Sequence, residues 1–375
     1  MSWSEKSIDQ LGFVSRGRSR HRPRDAAHLY GGQYPFVQTG DVKHAGLYLT
    51  DYSQTYSEEG LAQSKLWPVG TLCITIAANI ADTSILAIDA CFPDSVIGFI
   101  PDSEKADARF VKYLFDAVLK LRYRQFTQGA AQDNLSQAKL LALKFLVPDD
   151  VTEQIRIADF IATYDDLIEN NRRRIQLLEE SARLLYQEWF VHLRFPGHEQ
   201  VEITDGVPEG WEKKPLKQIA TLNYGKALKA EVRVPGPFPV YGSSGEVGSH
   251  EKALVKGPGI VVGRKGNVGS VYWVNTDFYP IDTVYFITTE ESSLFLYHAL
   301  QNVQFINTDV AVPGLNRDMA YSRGILIPDD KNYERFLSEV APIQEQVNKL
   351  QDYNGKLAQA RDLLLPKLMS GELVV

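Results

Sequence analysis

Between residues 157 and 189 apolar side chains return at alternating steps of four and three: Ile157, Ile161, Tyr164, Ile168, Ile175, Leu178, Ala182, Leu185 and Trp189, with Asn171 at one step. A period near 3.5 is a coiled-coil seam, and it predicts a helix of about 40 residues, roughly 60 Å long. Asp150 and Glu153 form a capping box at its start. A second seam runs through Ile343, Val347, Leu350, Asn354, Leu357, Arg361, Leu364 and Leu368. Pro342 suits a first turn there, and Pro366 should kink or end the helix. Antiparallel pairing would bury both seams. Asn171 and Asn354 then either fix the register or lie exposed at a frayed edge.

Elsewhere the pattern is mixed. Strand-like runs near 71–76 and 84–90 precede residues 103–126, where Val111, Leu114, Phe115, Val118 and Leu121 make one helical face and Ser103 stands at the N-cap position. Residues 292–305 hold a shorter counterpart. The resemblance between halves extends further. "SWSEKSIDQLGFVSRG" (2–17) aligns without a gap on "GWEKKPLKQIATLNYG" (210–225), placing Trp3 on Trp211 and Gly17 on Gly225, 208 residues apart. "YPFVQTGD" (34–41) matches "FPVYGSSGE" (238–246), and residues 70–88 match 257–274 with Asn79 on Asn267. "NLSQAKLLALKFLVPDD" (134–150) matches "GLNRDMAYSRGILIPDD" (314–330) at a spacing of 180. Four colinear matches identify a tandem duplication of domain-sized units.

Each "PDD" closes a strand and opens a helix. Glu153 and Gln154 recur as Glu345 and Gln346, and "ARLL" (182–185) as "ARDLL" (360–364). The intervals differ by 14 residues, two whole heptads, so the apolar seam keeps its phase. The expected segments are a first domain at 1–149, a helix at 150–193, a Pro- and Gly-rich linker at 194–210, a second domain at 211–330, and a helix with tail at 331–375. The fold class is α+β: two tandem mixed α/β domains in pseudo-twofold arrangement, joined by two long antiparallel coiled-coil-like helices.

At 375 residues the chain can bury two cores, and neither a signal peptide nor a bilayer-spanning apolar run is evident, so a cytoplasmic protein is expected. Cys73 and Cys91 sit in apolar strands as reduced core residues, and the seven histidines show no metal-ligand spacing. The net charge of −7 falls mostly on the helices: residues 1–149 hold 16 basic and 16 acidic side chains, residues 150–189 hold 5 and 9. Within the near-neutral first domain, "SRGRSRHRPR" (15–24) projects five arginines, a composition suited to phosphate contact.

The C-terminal "ARDLLLPKLMSGEL" (360–373), the "YPFVQTGD" run preceded by Gly32, the Trp-initiated domain starts and the Glu-Gln pairs resemble the specificity (S) subunit of type I restriction-modification systems. The resemblance covers nearly the whole chain. It implies two target recognition domains, each binding one part of a bipartite double-stranded DNA sequence, with the helices as a ruler. It also implies docking of methyltransferase (M) subunits, two in number, and of restriction (R) subunits. No cofactor is expected in this chain; S-adenosylmethionine, ATP and Mg are expected only in partner subunits, and no membrane is involved. The alternative is a self-contained DNA methyltransferase or nuclease. Against it, the sequence has no Pro-Pro, no FxGxG-like loop and no GxxxxGK[ST] phosphate loop, and an N-cap explains each "PDD". No catalytic residue is assigned.

The candidate DNA contacts fall in matching loops of the two copies. They are Arg16, Arg18, Arg20 and Arg22 with Lys226 and Lys229, and Gln38 and Thr39 with Ser243 and Ser244. Asn79 matches Arg264, Lys265 and Asn267 at hairpin tips, and Gln132 and Asn134 match Asn316 and Arg317 before the last strand. Asn and Gly favour turns regardless, so simple turn chemistry is an equal reading of any single one.

Overall fold

The strand Trp3–Lys6 runs antiparallel to Phe145–Pro148, setting Ser4 opposite Val147, Glu5 opposite Leu146 and Lys6 opposite Phe145. These pairs come from a computed structural model that describes residues 2–77, 80–119, 135–305 and 314–375. Adding 208 to the first residue of each pair and 180 to the second gives Glu212 opposite Ile327, Lys213 opposite Leu326 and Lys214 opposite Ile325, which are pairs of the ladder between Glu212–Pro215 and Gly324–Ile327. Spacings found by matching sequence are thus the registers of two equivalent ladders. The chain divides into two compact units, Met1–Arg172 with Asp352–Val375, and Arg173–Gln351.

In the first unit five strands lie in the order Gly12–Arg16, Val96–Pro101, Leu72–Thr75, Thr83–Leu86, Tyr48–Leu49. Four more lie in the order Gln54–Tyr56, Tyr30–Phe36, Ala90–Cys91, Leu66–Trp67. Leu72–Thr75 is buried throughout, and its side chains alternate between two cores. Leu72 and Ile74 join Ile97, Phe110 and Ile161, whereas Cys73 joins Val37, Trp67 and Phe92. Both cysteines are free and buried, and burial pushes their thiols up.

Asp107, not Ser103, caps the next helix, Ala108–Leu114: its carboxylate accepts from the amides of Arg109 at 2.9 Å and Phe110 at 3.1 Å. Ser103 lies in the preceding turn, where the Asp102 carbonyl accepts from the amides of Lys105 and Ala106. A carboxylate holding two amides makes a charge-assisted cap that a lone hydroxyl does not. Val111, Leu114 and Phe115 are buried, as the helical face requires. The helix passes into a π-helical segment, Phe115–Leu119, and the rest of the expected 103–126 helix lies outside the described residues.

The second unit repeats this plan. Its sheet order Asn223–Tyr224, Val284–Ile287, Gly259–Gly263, Val271–Val274 corresponds to the first four strands of the larger sheet above. Tyr279–Pro280 runs parallel to Phe238–Gly242, as Ala90–Cys91 does to Tyr30–Phe36. Leu294–Asn302, capped by Ser293, is the shorter helix expected over 292–305.

The long helices are Val151–Tyr186, continued by a π-helical segment Gln187–Val191, and Asp330–Met369. Every seam position named from sequence is buried or half-buried. Several local expectations fail. Asp150 caps the first helix by accepting from the Thr152 amide at 2.9 Å, but Glu153 turns forward to Arg156 at 2.6 Å, so an ion pair replaces the capping box. The second helix begins twelve residues before Pro342, where the Asp329 carboxylate accepts from the Asn332 amide at 2.9 Å. Glu345 and Gln346 therefore lie about four turns inside it. It also continues past Pro366 to Met369. Each proline removes one amide donor, a cost of about 3 kcal/mol, against which Val340 and Val347, or Leu365 and Leu368, are buried on either side.

Two polar pairs interrupt the apolar seam of the first unit. Asn171 donates to the Asn354 side-chain oxygen at 3.0 Å, which makes the register reading of these residues the correct one. Arg361 donates to Asp165 at 2.5 Å, and Tyr113 donates to the other oxygen of that carboxylate at 2.7 Å. Burial alone would depress the Arg361 pKa, but Asp165 and Asp362 hold it above its usual value. Since residue numbers rise on one helix as they fall on the other, the two segments are antiparallel.

Removing one partner of a largely buried ion pair strands the other charge. Arg361→Leu should lower amide-exchange free energies over residues 157–168 by about 2–3 kcal/mol, and adding Asp165→Leu should restore most of the loss. Equal exchange in wild type and single variant would show that the pair contributes nothing.

Candidate nucleic-acid interface

Both copies release a loop from the edge strand by the same backbone device. In the first unit the Gly17 amide donates to the Val96 carbonyl at 2.8 Å and the Arg18 amide to Phe92 at 3.0 Å. In the second, the Gly225 amide donates to Val284 at 3.2 Å and the Lys226 amide to Pro280 at 3.0 Å. A Cβ on Gly17 would strike the carbonyls of Phe92 and Pro93, and one on Gly225 those of Ile281 and Pro280. Only glycine permits this approach, which explains the glycine that both repeats share. Arg18 and Lys226, the next residues, are both exposed.

The arginine run of the first unit is only partly directed outward. Arg16 places two guanidinium nitrogens on the Asp94 carbonyl, at 2.8 and 2.6 Å, and Arg24 pairs with the Asp94 carboxylate at 2.9 Å. Arg22 donates to the carbonyls of Ser19 and His21 at 2.8 and 2.7 Å. Arg20 is exposed, and its backbone amide is held by Gln63 at 2.6 Å. Sequence reading missed Lys65, whose ammonium lies 3.6 Å from the centroid of the buried Trp67 ring and 4.6 Å from that of Phe13, a ring 53% exposed. Burial, and then Arg18, depress its pKa. Gln38 is half-buried at the start of Thr39–His44 and donates to Gln54 at 2.7 Å; Thr39 opens that helix. Asn79, Gln132 and Asn134 lie outside the described residues.

In the second unit the matching position carries different chemistry. Arg16 sits opposite Ile97, and Tyr224 opposite Tyr285, at sequence offsets of 208 and 188. The same offset of 188 takes Asp94 to Asp282 and the buried Ile76 to Arg264. The Asp282 carbonyl is again held by a guanidinium, at 2.9 Å, but from Arg264, just past the strand Gly259–Gly263. The position vacated by arginine holds Tyr224, half-exposed, with the Arg264 guanidinium 5.1 Å and the Arg317 guanidinium 4.9 Å from its ring centroid. Burial, and then Tyr224, push the Tyr285 hydroxyl up to about 12.

Around this cluster Lys265 is exposed and donates its amide to Thr283 at 3.0 Å, and the Arg264 carbonyl accepts from Leu315 at 2.8 Å. These bonds bring the hairpin of Arg264 and the segment of Arg317 together. Asn267 is exposed in its turn. Asn316 caps Arg317–Tyr321, accepting from Asp318 at 2.8 Å and Met319 at 3.3 Å, so turn chemistry accounts for its side-chain oxygen. Ser243 is buried, and its carbonyl accepts from the Ser270 hydroxyl at 2.6 Å; Ser244 is exposed at the hairpin tip. Lys226 and Lys229 are exposed on the preceding loop. Tyr224 was missed although it lies within the first aligned repeat, where it stands under Arg16.

A guanidinium lying on an aromatic face gains about 0.5–2 kcal/mol and is held flat, with its N–H edge available to a phosphate or to a guanine. Among the described residues no group of His, Cys, Asp or Glu could hold a metal ion, and no helix is long and apolar enough to cross a membrane.

Comparison with known proteins places the chain in a family. The chain is 24% identical to the type I restriction enzyme MjaIX specificity subunit of Methanocaldococcus jannaschii, over 100% of this chain and 94% of that one. It is 22% identical to the HindI specificity subunit of Haemophilus influenzae, over 99% of each. The crystal structure of a type I restriction-modification S subunit from M. genitalium shares the fold, with a TM-score of 0.55 at 17% identity over 98% of this chain and 96% of that one. The model of the type I restriction modification DNA specificity domain matches twice, at residues 2–180 and 208–346, and the chain therefore belongs to that family.

Proposed function

We propose that the two units read two different half-sites of one bipartite DNA target, with the paired helices setting their separation and docking two methyltransferase subunits and, where present, restriction subunits. The observation that carries this reading is the exchange at one carbonyl. Two copies of a single backbone frame present Arg16 in one case and Tyr224 with Arg264 and Arg317 in the other. A symmetric homodimer must repeat one surface, whereas a duplicated chain can diverge. On this reading the chain performs no chemistry itself. Methyl transfer, with S-adenosylmethionine, and DNA translocation, with ATP and Mg, belong to the partners, in the cytoplasm.

Exchanging residues 1–149 for the matching segment of a relative should change one half-site of the methylated sequence and leave the other intact. A mismatched base pair costs about 1–3 kcal/mol, enough to separate the patterns in methylation sequencing. Alteration of both halves would mean that the units do not read DNA independently.

Arg317→Ala should weaken binding to the specific duplex by about 5- to 150-fold, with no comparable loss on a duplex whose corresponding half-site is scrambled. Arg317→Lys should retain the salt dependence of binding and lose the discrimination, because a lysine cannot present a planar pair of donors. Equal losses on both duplexes in a competition assay would reduce Arg317 to a general phosphate contact.

A further inference from the structure

The seams of the two long helices superimpose at a constant offset of 179, which takes Ile157 to Phe336, Ile161 to Val340, Ile168 to Val347 and Leu178 to Leu357. The same offset takes Asp165 to Gln344 and Ala182 to Arg361. Aligning the buried Phe110 on the buried Phe295 takes Tyr113 to His298. The ionic cluster Arg361, Asp165 and Tyr113 of the first unit thus corresponds to Ala182, Gln344 and His298 in the second. All three line one cleft there, of about 270 Å3.

Where the first unit inserts a guanidinium, the second has a methyl group and a cleft beside it. The chemistry of the walls still suits a cation. Glu179 lies about one turn before Ala182 and lines the cleft with Gln176, Gln301 and Gln344. Although Glu179 is exposed as a residue, surrounding atoms desolvate its carboxyl and raise its pKa. Burial, and then the Glu179 charge, push the Tyr297 hydroxyl up to about 12, which places that carboxylate near the Tyr297 wall. Glu180 and Arg183 also line the cleft, and they pair with each other at 2.6 Å, so that guanidinium is already matched by its own carboxylate. Burial lowers His298 to about 4, so at neutral pH it contributes no positive charge to repel a cation. Val340, Ile343 and Val347 supply an apolar wall of the kind that covers a methylene stem. The volume is below the roughly 300–1,000 Å3 of pockets for drug-sized ligands and closer to that of a single long side chain.

We propose that this cleft is a guanidinium-binding site, taking a guanidinium on a flexible methylene stem between the Glu179 carboxylate and the Gln344 amide, in the place that Arg361 fills in the first unit. A guanidinium offers five donors in a plane, and a carboxylate with side-chain amide oxygens supplies matching acceptors. The group can come from an arginine of another protein or from a small molecule. The inference stands apart from the DNA-reading proposal, since every residue in it lies on the helices and on Leu294–Asn302.

The test is calorimetric titration of the full chain with agmatine, with the peptide Gly-Gly-Arg-Gly, and with N-butylurea as an uncharged control. Agmatine and the peptide should bind saturably and N-butylurea should not. Glu179→Gln should weaken both by tenfold or more, and Ala182→Arg, which supplies the missing side chain in cis, should abolish both. Tighter binding of the peptide than of agmatine identifies a protein arginine as the ligand, and the reverse order a small molecule. Absence of saturable binding to the wild-type chain, or binding undiminished in the folded Glu179→Gln variant, overturns the proposal whatever the outcome of DNA-binding assays.

Discussion

Two narrow apolar stripes, one on each long helix, must leave water, and the structure depends on how they do so. A stripe that recurs every 3.5 residues tolerates more than one register, because sliding by a heptad returns the same pattern. Polar groups remove that freedom. Asn171 bonded to Asn354, and Arg361 bonded to Asp165 under the Tyr113 hydroxyl, satisfy one another in one alignment only. The apolar positions provide affinity between the helices, and these pairs select the register. The second proline-bearing helix then persists through Pro342 and Pro366 because its flanking seam residues are already buried.

The duplicated domains separate what is fixed by backbone from what is free to vary. The ladders, the glycine approach and the amide bonds to residues 92 and 96, or 280 and 284, recur at constant offsets. A change there would break main-chain hydrogen bonds in a buried frame. Side chains at the end of the edge strand obey a weaker rule, that one guanidinium must cover one carbonyl. The rule is met from Arg16 in one copy and from Arg264 in the other, and the second solution frees an edge position for Tyr224. The same contrast marks the helices, where Arg361 in one unit is answered by Ala182 and a cleft in the other. Divergence of this kind costs no backbone change, so one fold can present two different surfaces.

Much of this was legible without coordinates. The seam was, because helical periodicity acts locally, and so was the equivalence of the two terminal ladders, because a repeat that keeps its spacing keeps its pairing. Helix starts were less so. Ser103 and Asp107 are both acceptable caps, and the choice rests on a turn that the Asp102 carbonyl closes. The resemblance of Glu345 to Glu153 was compositional, since one lies in a first turn and the other mid-helix. Among candidate site residues, Arg22 turns back on the carbonyls of its neighbours Ser19 and His21, whereas Ser243 turned out to be enclosed and Arg16 to be engaged by the Asp94 carbonyl, facts that depend on partners distant in sequence. Tyr224 was hidden for the same reason. Its meaning lies in Arg264 and Arg317, which neighbour it only once the sheet has formed.

The central claim is that one chain carries two independent and different readers of DNA. It is tested most directly by single-molecule sequencing of DNA from cells that express the native chain with the methyltransferase encoded beside it. The account predicts methylation at a bipartite target of two unlike half-sites separated by a non-specific gap of constant length. A continuous target, or two identical half-sites in symmetric order, would contradict it.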